Sequence, residues 1–234
     1  MNTPSRPRAT KIICTIGPAT DTSDMLGQLI EAGANVFRLN MSHSKHDWVR
    51  EVVFRIRRKA AELEANVAIL FDLQGPSIRT GDLAEPYHLK KGDTVEIRLG
   101  TAKPELPFST TVNYDGLLQD VQAGHTMVVD NGGILMRIAE VRPDRLICDV
   151  LTEGVFGSRR HINLPGVALR LPALTEKDLA DLAVAIECET DYVAMSFVRD
   201  AAHIAQLREH IDNLGGKAQI VAKIEDQQIG RAHV

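Results

Sequence analysis

Short apolar runs alternate with amphipathic helical stretches through the first third of this chain, a pattern that points to a parallel sheet and little else. Lys11 to Ile16 is apolar and rich in β-branched residues, and it ends at Gly17-Pro18, where a strand has to stop. Asp21 to Ser23 offers caps for a helix with Leu26, Leu29 and Ile30 on one face, closed at Gly33. Asn35 to Met41 reads as a second strand. Asp47 to Leu63 follows as a helix whose apolar face is Trp48, Val52, Ile56 and Leu63. Its basic opposite side, Arg55 to Lys59, is expected to be solvated surface. Val67 to Leu73 is a third strand, apolar throughout, as expected of a strand covered on both faces.

Between about Asp82 and Val167 the helical period disappears. Alternating segments such as Thr94 to Leu99 and Thr126 to Val129 replace it, separated by turns at Lys91-Gly92-Asp93, Asn131-Gly132-Gly133 and Arg142-Pro143-Asp144. This is the signature of a small β domain inserted into the α/β one. After Leu174 the first pattern resumes. Thr175-Glu176-Lys177-Asp178 caps a helix through Leu179, Leu182, Ala183 and Ile186, followed by a strand at Tyr192 to Phe197. A helix at Ala201 to Leu214 and a strand at Gln219 to Glu225 complete the series. No Gly-x-Gly-x-x-Gly follows the first strand, which argues against a dinucleotide fold. Polar residues collect instead at the ends of several strands, at Arg38 to Ser42, Asp72, Ser196, Lys223 and Glu225, as they do in barrel enzymes.

Composition narrows the partners. Hydrophobic residues at 44% and charged residues at 25% exclude a disordered or fibrous chain. A formal net charge of -4 gives no reason to expect nucleic acid or an anionic membrane as the main partner. No apolar run approaches the roughly 20 residues that span a bilayer, and Met1 to Lys11 has no hydrophobic stretch of a signal peptide. Cys14, Cys148 and Cys188 are scattered without metal-type spacing and read as small buried side chains. A reducing, cytoplasmic compartment fits these features.

The chemistry concentrates in two segments. In Val36-Phe37-Arg38-Leu39-Asn40-Met41-Ser42-His43 a buried strand places Arg38, Asn40 and Ser42 at every second position, hence on one side. A cation with an amide and a hydroxyl can hold a phosphate or carboxylate and coordinate a hard cation. Alternatively, Ser42 simply caps the next helix. In Val221-Ala222-Lys223-Ile224-Glu225 the lysine and carboxylate form either a plain ion pair or a working one, with Glu225 binding a divalent cation and Lys223 neutralising a transferring group. Two cations beside a metal ligand suit phosphoryl transfer. Asp72 adds a carboxylate at a strand end, unless it caps Gly75 or Ser77. Arg79 and the run Ser158-Arg159-Arg160-His161 flank the insert, as surface charges or as cationic hinges of a lid closing over phosphates.

Several segments together resemble pyruvate kinase: Lys11-Ile12-Ile13-Cys14-Thr15-Ile16-Gly17-Pro18-Ala19, Phe37 to His43, Asp72 to Gly81 and Asn163-Leu164-Pro165-Gly166. Leu174 to Asp178, Met195-Ser196-Phe197-Val198-Arg199 and Ala222 to Glu225 continue the same order. The resemblance implies a (β/α)8 barrel interrupted after its third strand by a β-rich lid. The barrel would occupy residues 1–81 and 168–228, and the lid 82–167. The implied reaction, a step of glycolysis, is transfer of phosphoryl from phosphoenolpyruvate to ADP, in a homo-oligomeric parent. By position, Arg38, Lys223 and Ser196 would meet phosphoenolpyruvate, with Arg38 and Lys223 catalytic. Arg79, Arg160, His43 and Asn40 would touch the nucleotide. Glu225 would bind magnesium, while Asn40, Ser42, Asp72 and the Leu73 carbonyl would hold potassium.

Three positions depart from that family's pattern. Ser77 stands where potassium-dependent members carry glutamate and potassium-independent ones lysine, and it supplies neither charge. Arg160 replaces a usual lysine, and Asn131 the second of two usual aspartates. A member of this family runs to roughly twice this length, and a barrel needs eight strands. The expectation is therefore an N-terminal half, inactive alone, whose resemblance ends at Asp226. Ile229 to Val234 matches what a sequencing-library adapter encodes and is set apart as a non-native tail. Two other readings stay open: a magnesium-dependent barrel lyase or aldolase acting on pyruvate-like substrates, and a binding remnant without turnover.

Overall fold

A computed structural model describes residues 9–167 and 169–225, the side chain of Asn131 excepted; residues 229–234 lie outside the described residues. The chain starts with β1 (Ile13–Ile16), α1 (Ser23–Glu31), β2 (Val36–Asn40), α2 (His46–Glu62) and β3 (Ala68–Asp72). Next come β4 (Tyr87–Leu89), β5 (Thr94–Arg98), β6 (Phe108–Thr111), the single turn α3 (Leu117–Asp120), β7 (Thr126–Val129), β8 (Ile134–Val141), β9 (Arg145–Val150), β10 (Gly154–Phe156) and β11 (Ile162–Asn163). It closes with α4 (Glu176–Glu187), β12 (Tyr192–Met195), α5 (Ala201–Asn213) and β13 (Gln219–Ala222).

These elements form two compact units. The first joins the described residues up to Gly75 with Ala173–Glu225. Its five strands are parallel and ordered β1-β2-β3-β12-β13, so the order never reverses as it would at the crevice of an open doubly wound sheet. Burial explains the register. Phe37 and Leu39 are fully buried while Arg38 and Asn40, on the opposite side of β2, are only partly covered. Leu26 and Ile30 of α1, Val49, Val52 and Ile56 of α2, Leu182 and Ala185 of α4 and Leu207 and Ile211 of α5 supply the helical side of this core. Caps fix the helix starts: Thr22 accepts from the Met25 amide at 3.3 Å, and Asp200 from His203 at 3.0 Å. Thr175 and Asp178 cap α4 reciprocally.

The second unit, Pro76–Pro172, is built on a six-stranded sheet of order β11-β7-β8-β9-β5-β6 and the antiparallel pair β10-β4. Val95, Ile97, Met127, Met136, Ile138, Leu146 and Phe156 fill its core. Within that core lies an ionic pair. Glu96 is wholly buried, and Arg145 Nη1 donates to its Oε2 at 2.8 Å while the Glu105 and Leu106 amides donate to its Oε1.

Several expected boundaries move. Ser42 does not open α2, because Lys45 is the N-cap and Ser42 sits in the turn after β2. β2 ends at Asn40, so strand alternation does not carry Ser42. β12 stops at Met195 because Phe197 adopts φ 55°, and β13, hydrogen-bonded to β12, stops at Ala222. Lys223 and Glu225 therefore lie past the strand, not on it. The basic side of α2 is only partly solvated, since Arg57 donates to Asp191 Oδ2 at 2.9 Å and Arg55 to the Asp21 carbonyl at 3.1 Å. Among the described residues no helix is long and apolar enough to cross a membrane.

Candidate active site

The C-terminal ends of the parallel strands carry one connected polar cluster. Register sets it up: Thr15 lies beside Arg38, and Asn40 beside Asp72, which lies beside Ala194. Arg38 donates through Nε to Asp72 Oδ2 at 2.7 Å, and its second nitrogen approaches the same oxygen at 2.6 Å. Its remaining amino group donates to Thr15 Oγ1 at 2.9 Å. Lys223 Nζ reaches the other oxygen of Asp72 at 3.1 Å. One nearly buried carboxylate thus serves two cations whose side chains are each 30% exposed. Removing water from Asp72 strengthens both attractions, and the open sides of Arg38 and Lys223 leave them able to meet a ligand.

Lys223 also donates to Ser196 Oγ at 2.8 Å, and that hydroxyl donates to the Leu73 carbonyl at 2.7 Å. Glu225 Oε1 lies 3.4 Å from Lys223 Nζ, while its Oε2 accepts the backbone N–H of Phe197 at 3.0 Å. Phe197 is an aromatic residue in the left-handed region, a conformation costing on the order of 1–3 kcal/mol and often met at functional sites. Here it aims a backbone donor at the carboxylate. Asn40 accepts from the Ser42 amide at 3.2 Å, and the Asn40 carbonyl accepts Ser44 Oγ at 2.8 Å, so the turn after β2 is internally bonded. His43 is exposed in that turn.

Arg38, Asn40, Asp72, Leu73, Ser196, Lys223 and Glu225 therefore converge within the first unit, with Ser42 on the adjoining turn. Asp72 caps neither Gly75 nor Ser77; the Gly75 amide is taken by Asp178 Oδ1 at 3.0 Å. Arg79 and Arg160 belong to the second unit, on neighbouring segments: Arg79 bridges to His161, and the Thr80 amide donates to the Arg160 carbonyl at 2.9 Å. Arg79 donates to the Arg159 carbonyl at 3.1 Å, and Arg160 pairs with Asp130 at 3.3 Å. Among the described residues no three His, Cys, Asp or Glu side chains gather as a metal site. Thr15 and Phe197 escaped the reading of the sequence. Thr15 has a usable signal, since it falls at the end of a strand neighbouring Arg38; the backbone of Phe197 has none.

The pyruvate kinase barrel domain matches residues 7–231, nearly the whole chain and past Asp226. The chain belongs to the pyruvate kinase family. Plastidial pyruvate kinase 2 of Arabidopsis thaliana is 38% identical over 225 residues, which is 95% of this chain and 38% of the relative. The chloroplastic pyruvate kinase isozyme G of Nicotiana tabacum is 36% identical over 222 residues, 94% of this chain and 39% of its own length. A pyruvate kinase of Staphylococcus aureus (strain USA300) is 36% identical over 224 residues, 94% and 38% respectively. The chain thus spans about two fifths of the pyruvate kinases it matches.

Proposed function

We propose that this chain carries the phosphoenolpyruvate-binding half of a pyruvate kinase site, which transfers phosphoryl from phosphoenolpyruvate to ADP in a longer parent. On this reading the five parallel strands are part of a (β/α)8 barrel, and the second unit is its lid. The observation that supports it most is the convergence of Arg38 and Lys223 on Asp72 with Glu225 alongside. A substrate phosphate meets Arg38 as a forked donor held by Thr15 and Asp72. Lys223, held by Asp72 and Ser196, places a compact charge where negative charge develops during transfer. Arg79 and Arg160 supply cations for the nucleotide.

The donor set suits the ions the reading requires. Glu225 is a single, partly exposed carboxylate, and magnesium commonly takes one or two carboxylates and completes its shell with phosphate oxygens and water. Asn40, Ser42, Asp72 and the Leu73 carbonyl offer amide, hydroxyl, carboxylate and carbonyl oxygens, the ligand types of a hard monovalent ion such as potassium. When bound, magnesium polarises phosphoryl oxygens and offsets their charge.

Calorimetric titration of the 234-residue chain with phosphoenolpyruvate and magnesium tests this. Binding is expected, weakened at least ~10-fold by Arg38→Ala or Lys223→Met, as loss of a charge-assisted bond predicts. Equal affinity in all three proteins would overturn the assignment. ADP binding lost in Arg79→Ala separates a kinase from a barrel lyase, which has no nucleotide to hold. A coupled assay on the same chain is expected to show no turnover above background, and turnover would overturn that expectation.

A further inference from the structure

The first turn of α4 grips both loops that leave the ends of β2 and β3. Lys177 Nζ donates to the Met41 carbonyl at 2.7 Å, between Asn40 and Ser42 in sequence. Asp178 Oδ1 accepts the Gly75 amide at 3.0 Å, two residues beyond Leu73, while its other oxygen binds Thr175. Asp178 is fully buried, so this bond is not shared with water. Lys177 is itself steered by Asp181, also fully buried, whose Oδ2 lies 2.6 Å from Nζ and whose Oδ1 lies 2.7 Å from His46 Nε2. Between the two loops the Met41 amide donates to the Asp72 carbonyl at 3.0 Å. Met41 is thus held from both sides, by Asp72 through its N–H and by Lys177 through its carbonyl.

We propose that Lys177 and Asp178 are positioning residues that fix the spacing between Asn40 and Ser42 on one loop and Asp72 and Leu73 on the other, and thereby tune binding of a monovalent cation. The inference rests on the potassium part of the function proposed above. The loops meet each other through the Met41 amide and the Asp72 carbonyl, and α4 adds a second tether to each, at the Met41 carbonyl and the Gly75 amide. Cation binding needs the oxygens of Asn40, Ser42, Asp72 and Leu73 at a common distance, and residues behind metal ligands typically contribute 10–100-fold in affinity. Neither side chain offers a ligand itself: Lys177 is a cation, and both oxygens of Asp178 are occupied by backbone and hydroxyl donors.

Thallium(I), a spin-active stand-in for potassium, gives the test. Its binding to the 234-residue chain is followed by thallium NMR in wild type, Lys177→Met, Lys177→Arg and Asp178→Asn, with amide hydrogen exchange recorded alongside. Lys177→Met is expected to raise the thallium midpoint ~10-fold and to speed exchange at Met41 to Ser44, leaving Ile69 to Phe71 protected. Lys177→Arg should recover most of both. Asp178 is buried, and should its variant fail to fold, Lys177→Met alone decides. A midpoint within about twofold of wild type in Lys177→Met, with exchange unchanged, overturns the inference while the potassium reading stands. No thallium binding by wild type overturns the potassium reading and this inference with it.

Discussion

Asp72 is where the chemistry of this chain is most concentrated, because one carboxylate orients both cations. Asp72→Asn leaves Arg38 without its counter-charge and Lys223 with Glu225 alone. Their partial exposure softens the penalty, so a loss of about 1–3 kcal/mol is expected, read from urea unfolding at neutral pH. Gly75 is fixed by two constraints. Its φ is 69°, and a Cβ there would sit 2.9 Å from the Ser196 Cβ and 3.2 Å from the Ser196 carbonyl. Gly75→Ala should therefore push Ser196 away from Lys223 and weaken phosphoenolpyruvate binding along with stability, measured by calorimetry on the same sample. Cys148 is fully buried, and that burial pushes its thiol up to about 12, so it should resist thiol reagents at pH 8 until the chain is unfolded. Arg38, Asp72, Lys223 and Glu225 were legible because charge at the end of an apolar strand is unusual and has to be satisfied somewhere, and Asn40 because it alternates with Arg38. The carboxylate that satisfies Arg38 and Lys223 was not assigned to them, since pairing across strands depends on register. Phe197 was invisible for a stricter reason: nothing in an aromatic side chain announces a left-handed backbone.

At the scale of single elements, periodicity found every helix and strand of the parallel sheet but overran several ends. Tyr192 to Phe197 and Gln219 to Glu225 read as strands to their last residue because the segments past Met195 and Ala222 continue the apolar alternation. The regular strands end earlier, at Met195 and Ala222, although the Lys223 amide still donates to the Met195 carbonyl at 3.0 Å and the Val198 amide to the Lys223 carbonyl at 3.2 Å. Thr175 to Asp178 was legible as a cap, and the cap exists; that the same turn also holds Met41 and Gly75 was not, because those partners are distant in sequence. In the second unit, the β5–β9 pair carries the buried Glu96–Arg145 couple. Burial works to raise the Glu96 carboxyl, yet donors from Ser109, Glu105, Leu106 and Arg145 outweigh it and hold the group below the ordinary carboxylate range. A depressed folded value means the unfolded chain binds more protons in acid. The resulting stability is present above the ordinary carboxylate range and is lost as pH falls through the folded value. Glu96→Gln is expected to cost about 2 kcal/mol at pH 7 and to flatten the acid limb of a stability–pH curve; a variant as acid-sensitive as wild type would refute this.

For the molecule as a whole, the change of period near Asp82 and its return near Leu174 raised the expectation of a β-rich insert at 82–167, while the two compact units divide at Gly75/Pro76 and Pro172/Ala173. Strand order was less accessible: the choice of a barrel over an open sheet rested on the absence of a Gly-x-Gly-x-x-Gly after the first strand and on where polar residues gather, and the order β1-β2-β3-β12-β13 is unreversed. One feature of that order bears on how the protein comes into being. β3 is paired on one side by β2, its near neighbour, and on the other by β12, with Leu70 beside Tyr192. During synthesis the flank of β3 that awaits β12 stays open until the whole intervening segment has emerged, whereas the insert can complete most of its own ladder without it. Loops of that length close slowly. Refolding should therefore be biphasic in pulsed exchange, with amides of β5, β8 and β9 shielded ahead of those of β12, and the late-forming seam between β3 and β12 is where a chaperone or a protease would find this chain vulnerable.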